Sequence, residues 1–297
     1  MNVISVVGPT AAGKSDLAVE IALRLGGEAV NTDSMQLYRG MDIGTAKLSL
    51  EERRGVPHHL LDVWDVTEPA SVAEYQRMAH EAIAEIGGRG RTPVLVGGSG
   101  LYVRAALDEM DFPGTDPRIR ARLEAELAEQ GSGALFERLR AADPEAARTI
   151  LPSNGRRIVR ALEVIELTGR PFTANLPDHR YREPGTVQLG LLVPRPELDE
   201  RIALRVGRMW EAGLVEEVRE LEKAGLRSGR TASAALGYAQ VLRFLAGEWT
   251  EEQAREETVR ATRRFARRQE SWFRRDPRIR WLPYDAPDLL ERALERE

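Results

Sequence analysis

At 297 residues, 42% hydrophobic and 30% charged, the chain can bury a sizeable core and stay soluble, as one large α/β domain with an insertion or as two domains. The lack of cysteine excludes disulfides and thiolate metal sites and fits a reducing compartment, while a net charge of −4, taken as an average, argues against a nucleic-acid partner. No apolar stretch is long enough to span a membrane, and the first strand leaves no room before it for a signal peptide, so a cytoplasmic protein is expected.

The apolar run Val3-Ile4-Ser5-Val6-Val7 predicts a buried strand. It leads into Gly8-Pro9-Thr10-Ala11-Ala12-Gly13-Lys14-Ser15, which fits G-x-x-x-x-G-K-[ST], and Leu17, Ile21 and Leu25 follow at helical spacing. In that context the motif cradles phosphate. The glycines let backbone amides face an anion, the helix N-terminus adds its dipole, and Lys14 adds a point charge. Ser15 can ligate a Mg²⁺ that bridges phosphate oxygens. The plain alternative is a glycine turn with a surface lysine. The loop states what is held, not what is done to it.

A second strand, Glu28-Ala29-Val30-Asn31, leads to Thr32-Asp33-Ser34-Met35-Gln36 and on through Gly40-Met41-Asp42-Ile43-Gly44-Thr45-Ala46-Lys47. Pro57-His58-His59-Leu60-Leu61-Asp62 reads as a structural loop; the histidine pair could suggest a metal, but no third ligand has suitable spacing. Ser71 and Glu74 form a capping box for a helix to about Ile86, and Gly87-Gly88-Arg89-Gly90 is a turn. Pro93-Val94-Leu95-Val96 is a third strand, ending at Gly97-Gly98-Ser99-Gly100. Strands alternating with helices predict a parallel sheet with ligands at the strands' carboxyl ends. The phosphate loop, Asp33 and Ser99 should then share one edge. The third strand does not end in the acid that a motor ATPase or GTPase uses to hold Mg²⁺, which counts against nucleotide hydrolysis.

From Asp116 the pattern turns helical, over Arg118 to Gln130, Gly133 to Ala142, Pro144 to about Ile150 and Asn154 to Thr168. Pro113-Gly114 marks the entry and Pro171 and Pro177 the exit. This predicts a helical subdomain, 113–185, inserted into a sheet domain made of 1–112 and 186–297. Arg156 and Arg160 share a helix face, either a solvated face or a binding surface. Val187 to Val193 returns to the sheet. Arg201 and Arg205, four apart on the next helix, can clamp a diphosphate or pair with neighbouring acids. Thr250-Glu251-Glu252-Gln253 boxes the start of a long helix to about Arg275. From Arg260 to Arg280 there are nine arginines against Glu270 and Asp276, a local +7. That exceeds internal pairing and points to a polyanion backbone. Phe265, Trp272 and Phe273 within it read as core rather than base-stacking platforms. Arg280-Trp281-Leu282 fits an edge strand, and the acidic tail helix reads as solvated.

Together these motifs resemble the bacterial tRNA dimethylallyltransferases, also called tRNA isopentenyltransferases. The likeness runs from residue 2 to about residue 283. Besides the phosphate loop and the stretch from Thr32 to Lys47 it includes Val96-Gly97-Gly98-Ser99-Gly100-Leu101-Tyr102, Arg156-Arg157-Ile158-Val159-Arg160-Ala161-Leu162-Glu163-Val164, Leu236-Gly237-Tyr238 and Arg267-Arg268-Gln269-Glu270-Ser271-Trp272-Phe273. The resemblance implies a P-loop NTPase-like α/β fold, a parallel sheet flanked by helices with an inserted helical subdomain. It implies transfer of the dimethylallyl group of dimethylallyl diphosphate to N6 of the adenosine just 3′ of the tRNA anticodon, with Mg²⁺ as cofactor. Asp33, as general base, and Thr10 would be the catalytic pair. Gly8 to Ser15, with Arg201 or Arg205, would hold diphosphate. The anticodon stem-loop would meet Asp33, Ser34, Met35, Gln36, Ser99, Arg120, Arg156, Arg157, Ile158, Val159 and Arg160; the charge count adds Arg264, Arg267 and Arg268.

The chain departs from that family at two places: Arg156 stands where glutamine is usual and Ser99 where threonine is frequent. The cysteine-rich zinc finger of the eukaryotic relatives is absent. Other readings stay open. A small-molecule P-loop kinase would leave the arginine run unexplained. An adenylate isopentenyltransferase would need neither the inserted helices nor the basic one, and a nucleic-acid-binding ATPase would want the missing acid. A monomer is expected.

Overall fold

The computed structural model describes residues 2–172 and 179–295; Pro177, in the predicted exit segment, lies outside them. Two compact units emerge, one of Met1–Glu109 with Tyr181–Glu297 and one of Met110–Arg180. Residues 181–185 go with the sheet, since Tyr181 bridges Asp108 and the Arg182 N–H bonds Leu107 O at 2.8 Å.

The first unit is built on a six-stranded parallel sheet, β3-β2-β4-β1-β5-β6. Its strands are β1 (Ile4–Val7), β2 (Glu28–Asn31), β3 (His58–His59), β4 (Pro93–Val96), β5 (Val187–Leu192) and β6 (Ile279–Pro283). β1 lies between β4 and β5, and every residue of β1 is buried, as an apolar run without alternation requires in a parallel sheet covered on both faces. The flanking helices are α1 (Lys14–Leu25), α2 (Val72–Gly88) and α3 (Gly100–Leu107). Because β2, β4 and β1 are neighbours in register, the loops after them emerge side by side. This is the shared edge expected for residues 8–13, 32–36 and 97–99.

The second unit holds α4 (Pro117–Ala142), α5 (Pro144–Thr149) and α6 (Gly155–Thr168). Asp116, Asp143 and Asn154 cap their starts through side-chain oxygens that accept first-turn N–H groups. Within the α4 span the two helices expected on either side of Gly131 are both present and are separated by its non-helical backbone, at φ 77° and ψ 169°, a conformation open to glycine. Leu123, Leu135, Leu139, Ile158 and Leu162 form a core of their own.

The chain then supplies α7 (Arg195–Glu211), α8 (Leu214–Lys223), α9 (Tyr238–Leu245), α10 (Glu251–Phe273) and α11 (Leu289–Leu294) to the sheet unit. The Thr250/Gln253 capping box opens α10 as expected. Three expectations change. His58 and His59 form an edge strand rather than a loop, because Ala29 and Val30 of β2 lack another partner on that side. Gly87 and Gly88 complete α2 instead of turning. The tail helix α11 is not wholly solvated: Ala293 is buried, and Leu289, Leu290 and Leu294 pack on the core.

Candidate active site

The phosphate loop turns on Gly8 (φ 137°), Ala11 (φ 64°) and Gly13 (φ 93°), and α1 starts at Lys14. Such turns point successive amides to one side, a concavity suited to an anion. Lys14 folds back over the loop, its Nζ donating to Pro9 O at 2.7 Å. Burial, and after it the positive charge of Arg205, bring its pKa down to about 8 against the opposing pull of Asp33. Arg201 donates from Nε to Ala11 O at 2.8 Å, and its guanidinium sits 4.8 Å over the Tyr284 ring. The Arg205 guanidinium is held below its usual pKa by burial, while Asp33 and Asp16 act to raise it. Lys14, Arg205 and Asp33 therefore feel one another's charge. No hydrogen bond from Arg205 is found among the described residues.

Asp33 stands just past β2 and is oriented by its own chain. Asn31 accepts the Asp33 N–H at 2.8 Å and donates to Asp33 O at 2.9 Å and Leu60 O at 3.0 Å. Asp33 Oδ1 accepts the Met35 N–H at 2.9 Å, a local turn that aims the carboxylate. The floor beneath is aromatic: Tyr75 donates to Asn31 O at 2.9 Å, and its ring lies 4.7 Å from that of Tyr102. Burial, then a neighbouring phenol, then Asp33 push both phenols above their usual range, so both stay neutral donors. Ser99 accepts the Ser34 N–H at 3.1 Å, and the two hydroxyls are 3.1 Å apart. Gln36 turns inward, its Nε2 donating to Thr45 O at 3.0 Å. The structure thus brings Thr10, Lys14, Arg201, Arg205, Asp33, Ser34 and Ser99 to one end of the sheet.

Three side chains support this site from a distance in sequence. Glu217 of α8 accepts the N–H groups of Asp42, Ile43 and Gly44 at 3.1, 2.7 and 3.2 Å and the Tyr238 hydroxyl at 2.5 Å. It pins the loop that follows Gln36, and a Cβ on Gly44 would strike the Tyr238 ring. Lys47 closes the same loop from within, donating to Tyr38 O at 2.6 Å and pairing with Asp42 and Asp62. Gln269 of α10 accepts the Thr10 N–H at 2.9 Å. The Leu-Gly-Tyr and Arg-Arg-Gln-Glu-Ser-Trp-Phe motifs contained Tyr238 and Gln269 without showing what they touch.

The predicted RNA-facing arginines divide. On α10, Arg264 pairs with Glu257, Arg260 with Glu256 and Glu257, and Arg263 with Asp199, while Arg278 pairs with Asp108 and Asp276. Acids from outside the 260–280 stretch neutralise much of the local excess, which corrects the count made on sequence alone. Arg267 and Arg268 remain exposed without an ion pair among the described residues, Arg268 lying 5.7 Å over Phe265. Phe273 is buried. In the helical unit, Arg120 and Arg160 converge on Glu163, which is fully buried. Burial alone would raise the Glu163 carboxyl, but hydrogen bonds and charge from the two arginines hold it below its usual value. Ile158 and Val159 are buried core residues, so of that stretch Arg156 and Arg157 are the exposed ones.

No group of three or more His, Cys, Asp or Glu is placed to hold a metal among the described residues, and His59 pairs with Glu28 at 2.6 Å. Ser15 is the second residue of α1, directly after Lys14.

The family model described as IPP transferase matches residues 36–276. The chain is 76% identical over 297 residues to the tRNA dimethylallyltransferase of Thermobifida fusca, covering 98% of this chain and 93% of that one. It is 69% identical to that of Streptomyces griseus, covering 99% and 97%. Among solved structures it is similar to the tRNA isopentenylpyrophosphate transferase of Bacillus halodurans, at 41% identity and a TM-score of 0.71 over 99% of this chain and 93% of the other. A eukaryotic dimethylallyltransferase acting on tRNA superposes with a TM-score of 0.82 at 25% identity, over 99% of this chain and 76% of its own. With sequence and sheet topology in agreement, the chain belongs to the IPP transferase family, and its fold is the P-loop NTPase-like parallel sheet flanked by helices.

Proposed function

We propose that this protein transfers the dimethylallyl group of dimethylallyl diphosphate to N6 of the adenosine 3′-adjacent to the anticodon in tRNA, releasing diphosphate. The observation that supports the reading is the sheet order: the loop after β2, which carries Asp33, and the phosphate loop after β1 leave the same end of the sheet on either side of β4. The N6 lone pair attacks C1 of the allylic group. The C1–N6 bond forms, the C1–O bond breaks with its electron pair going to diphosphate, and the N6 proton passes to Asp33.

Each requirement has a residue suited to it. Charge growing on the leaving diphosphate meets the loop amides, Lys14, Arg201 and Arg205, as preorganised electrostatics. Thr10 lies within the loop, in reach of both diphosphate and nucleophile. Asp33 takes the proton and accepts a hydrogen bond from the adenine amine before it does. The adenosine must leave its stack, at a cost of a few kcal/mol, which is lower in a loop whose bases are already loosely stacked. Ser15, with diphosphate oxygens and water, would hold a Mg²⁺, which would neutralise leaving-group charge. The helical unit, through Arg156 and Arg157, and α10, through Arg267 and Arg268, are the surfaces we assign to the anticodon stem-loop.

Labelled dimethylallyl diphosphate offered with tRNA, with AMP, or with ATP and small acceptors tests the assignment. Label is expected in tRNA alone. Label in AMP would mark an adenylate isopentenyltransferase, and phosphoryl transfer from ATP without prenyl transfer would mark a kinase.

A further inference from the structure

Gln269 is 259 residues from the phosphate loop in sequence and is buried against it with both ends of its amide in use. Oε1 accepts the Thr10 N–H at 2.9 Å, and Nε2 donates to Gly98 O at 2.9 Å. One side chain thereby joins the loop after β1 to the loop after β4. The glycines around Ser99 make room for this. A Cβ on Gly98 would collide with Gln269 Nε2, and one on Gly100 with the Trp272 indole. Ser99, between them, accepts from the Ser34 N–H, next to Asp33. An unbroken series of contacts therefore runs from Thr10 through Gln269, Gly98 and Ser99 to Ser34.

The chemistry of the link is specific to an amide. It must accept from one backbone and donate to another at once, beside a cradle for an anion. Glutamate could accept from Thr10 but not donate to Gly98 O, and its charge would oppose a diphosphate. Methionine fills the same volume and makes neither bond. The Thr10 amide, held by Gln269, does not join the amides turned toward the anion, so its role is to set where Thr10 stands.

We propose that Gln269 is a positioning residue for prenyl transfer: it sets the separation between Thr10 on the phosphate loop and the Ser34–Asp33 segment, and so the alignment of leaving group and acceptor nitrogen. The inference rests on the transfer activity proposed above. Misplacing a reacting group by about 1 Å costs on the order of 10²-fold in rate, whereas substrate contacts made elsewhere are unaffected.

Steady-state kinetics with labelled dimethylallyl diphosphate and tRNA, on wild type, Gln269→Met, Gly98→Ala and the double variant, provide the test. Gln269→Met is expected to lower kcat by roughly 10 to 100-fold. The KM for dimethylallyl diphosphate and the Kd for tRNA should stay within about threefold, since no group that meets either substrate has been removed. Gly98→Ala should act in the same direction by displacing the Gln269 amide. The double variant should be no worse than the worse single one, because both sever one link. If Gln269→Met fails to fold, Gly98→Ala, which changes no residue of α10, carries the same kcat prediction. A kcat within twofold of wild type in whichever variants fold, or losses that multiply in the double variant, would overturn the inference while leaving the activity standing. Wild-type protein that moves no label into tRNA would overturn the activity and the inference together.

Discussion

The sheet unit and the helical unit both gather arginines around a carboxylate, and they do so to opposite ends. Around Glu163 the arrangement is closed: Arg120 and Arg160 pair with it, the Asp116 N–H adds a bond at 3.2 Å, and Arg160 is anchored on the carbonyls of Pro113 and Gly114. Around the phosphate loop it is open. Lys14 and Arg205 feel Asp33 without a direct ion pair to it, and burial brings the Lys14 ammonium down to a pKa of about 8. Closed clusters hold a fold together. Open ones hold charge in reserve for something that is not part of the chain.

The sharpest way to break the contrast is Asp33→Ala. If Asp33 takes the N6 proton, label transfer to tRNA should fall by roughly 10² to 10⁴-fold, the range of a positioned general base. Pyrophosphate affinity should stay within about threefold, because loop amides, Lys14 and the arginines remain. A variant that keeps most of its rate would leave Asp33 as no more than a charge near the cradle.

The same operation on the closed cluster should show up in stability. Glu163→Gln leaves two guanidiniums against a neutral amide. Removing one partner of a buried pair costs about 3 to 5 kcal/mol, and the lower end applies because both arginines keep some exposure to water. Hydrogen exchange of α4 and α6 should rise accordingly, with the sheet unit unchanged. The pH dependence has a definite sign. A carboxyl held below its usual value stabilises the fold above the unfolded value near 4.5, and that contribution is lost as pH falls through the folded value. The gap between wild type and Glu163→Gln should therefore narrow in acid. Equal protection at neutral pH would show that Glu163 holds nothing.

What could be read from the sequence follows from how local each feature is. Gly8 to Ser15 were legible because strand, loop and helix lie within about two dozen residues and each has its own pattern. Asp33 was legible because a parallel sheet places the ends of neighbouring strands together. Gln269 and Glu217 were not: their partners lie 259 and about 174 residues away, and neither residue type departs from an ordinary helix surface. β3 was missed because two residues carry no period, and its strand character comes from the free edge of β2. The arginine count failed for a related reason. A window of sequence sees only its own acids, whereas Asp199 and Asp108 reach Arg263 and Arg278 from other elements.

Pairing with acids also separates the arginines available to RNA from those that are not. Of the α10 arginines assigned to tRNA, Arg264 is already neutralised by Glu257 and Arg267 and Arg268 are not. Arg267→Ala with Arg268→Ala should weaken tRNA binding and flatten the dependence of log Kd on log salt by about 0.7 to 0.9 for each phosphate left without its arginine. Arg264→Ala should change the slope less, since the guanidinium it removes reaches RNA only by leaving Glu257. Arg122, tied to Glu126 and Glu166 beside Arg138 in the helical unit, supplies the control: its removal should leave the slope where it was. A slope indifferent to Arg267 and Arg268 would move the polyanion surface off α10 altogether. A slope that responds equally to Arg264 would mean that the Glu257 pair opens for RNA, erasing the distinction between open and closed arginines on that helix.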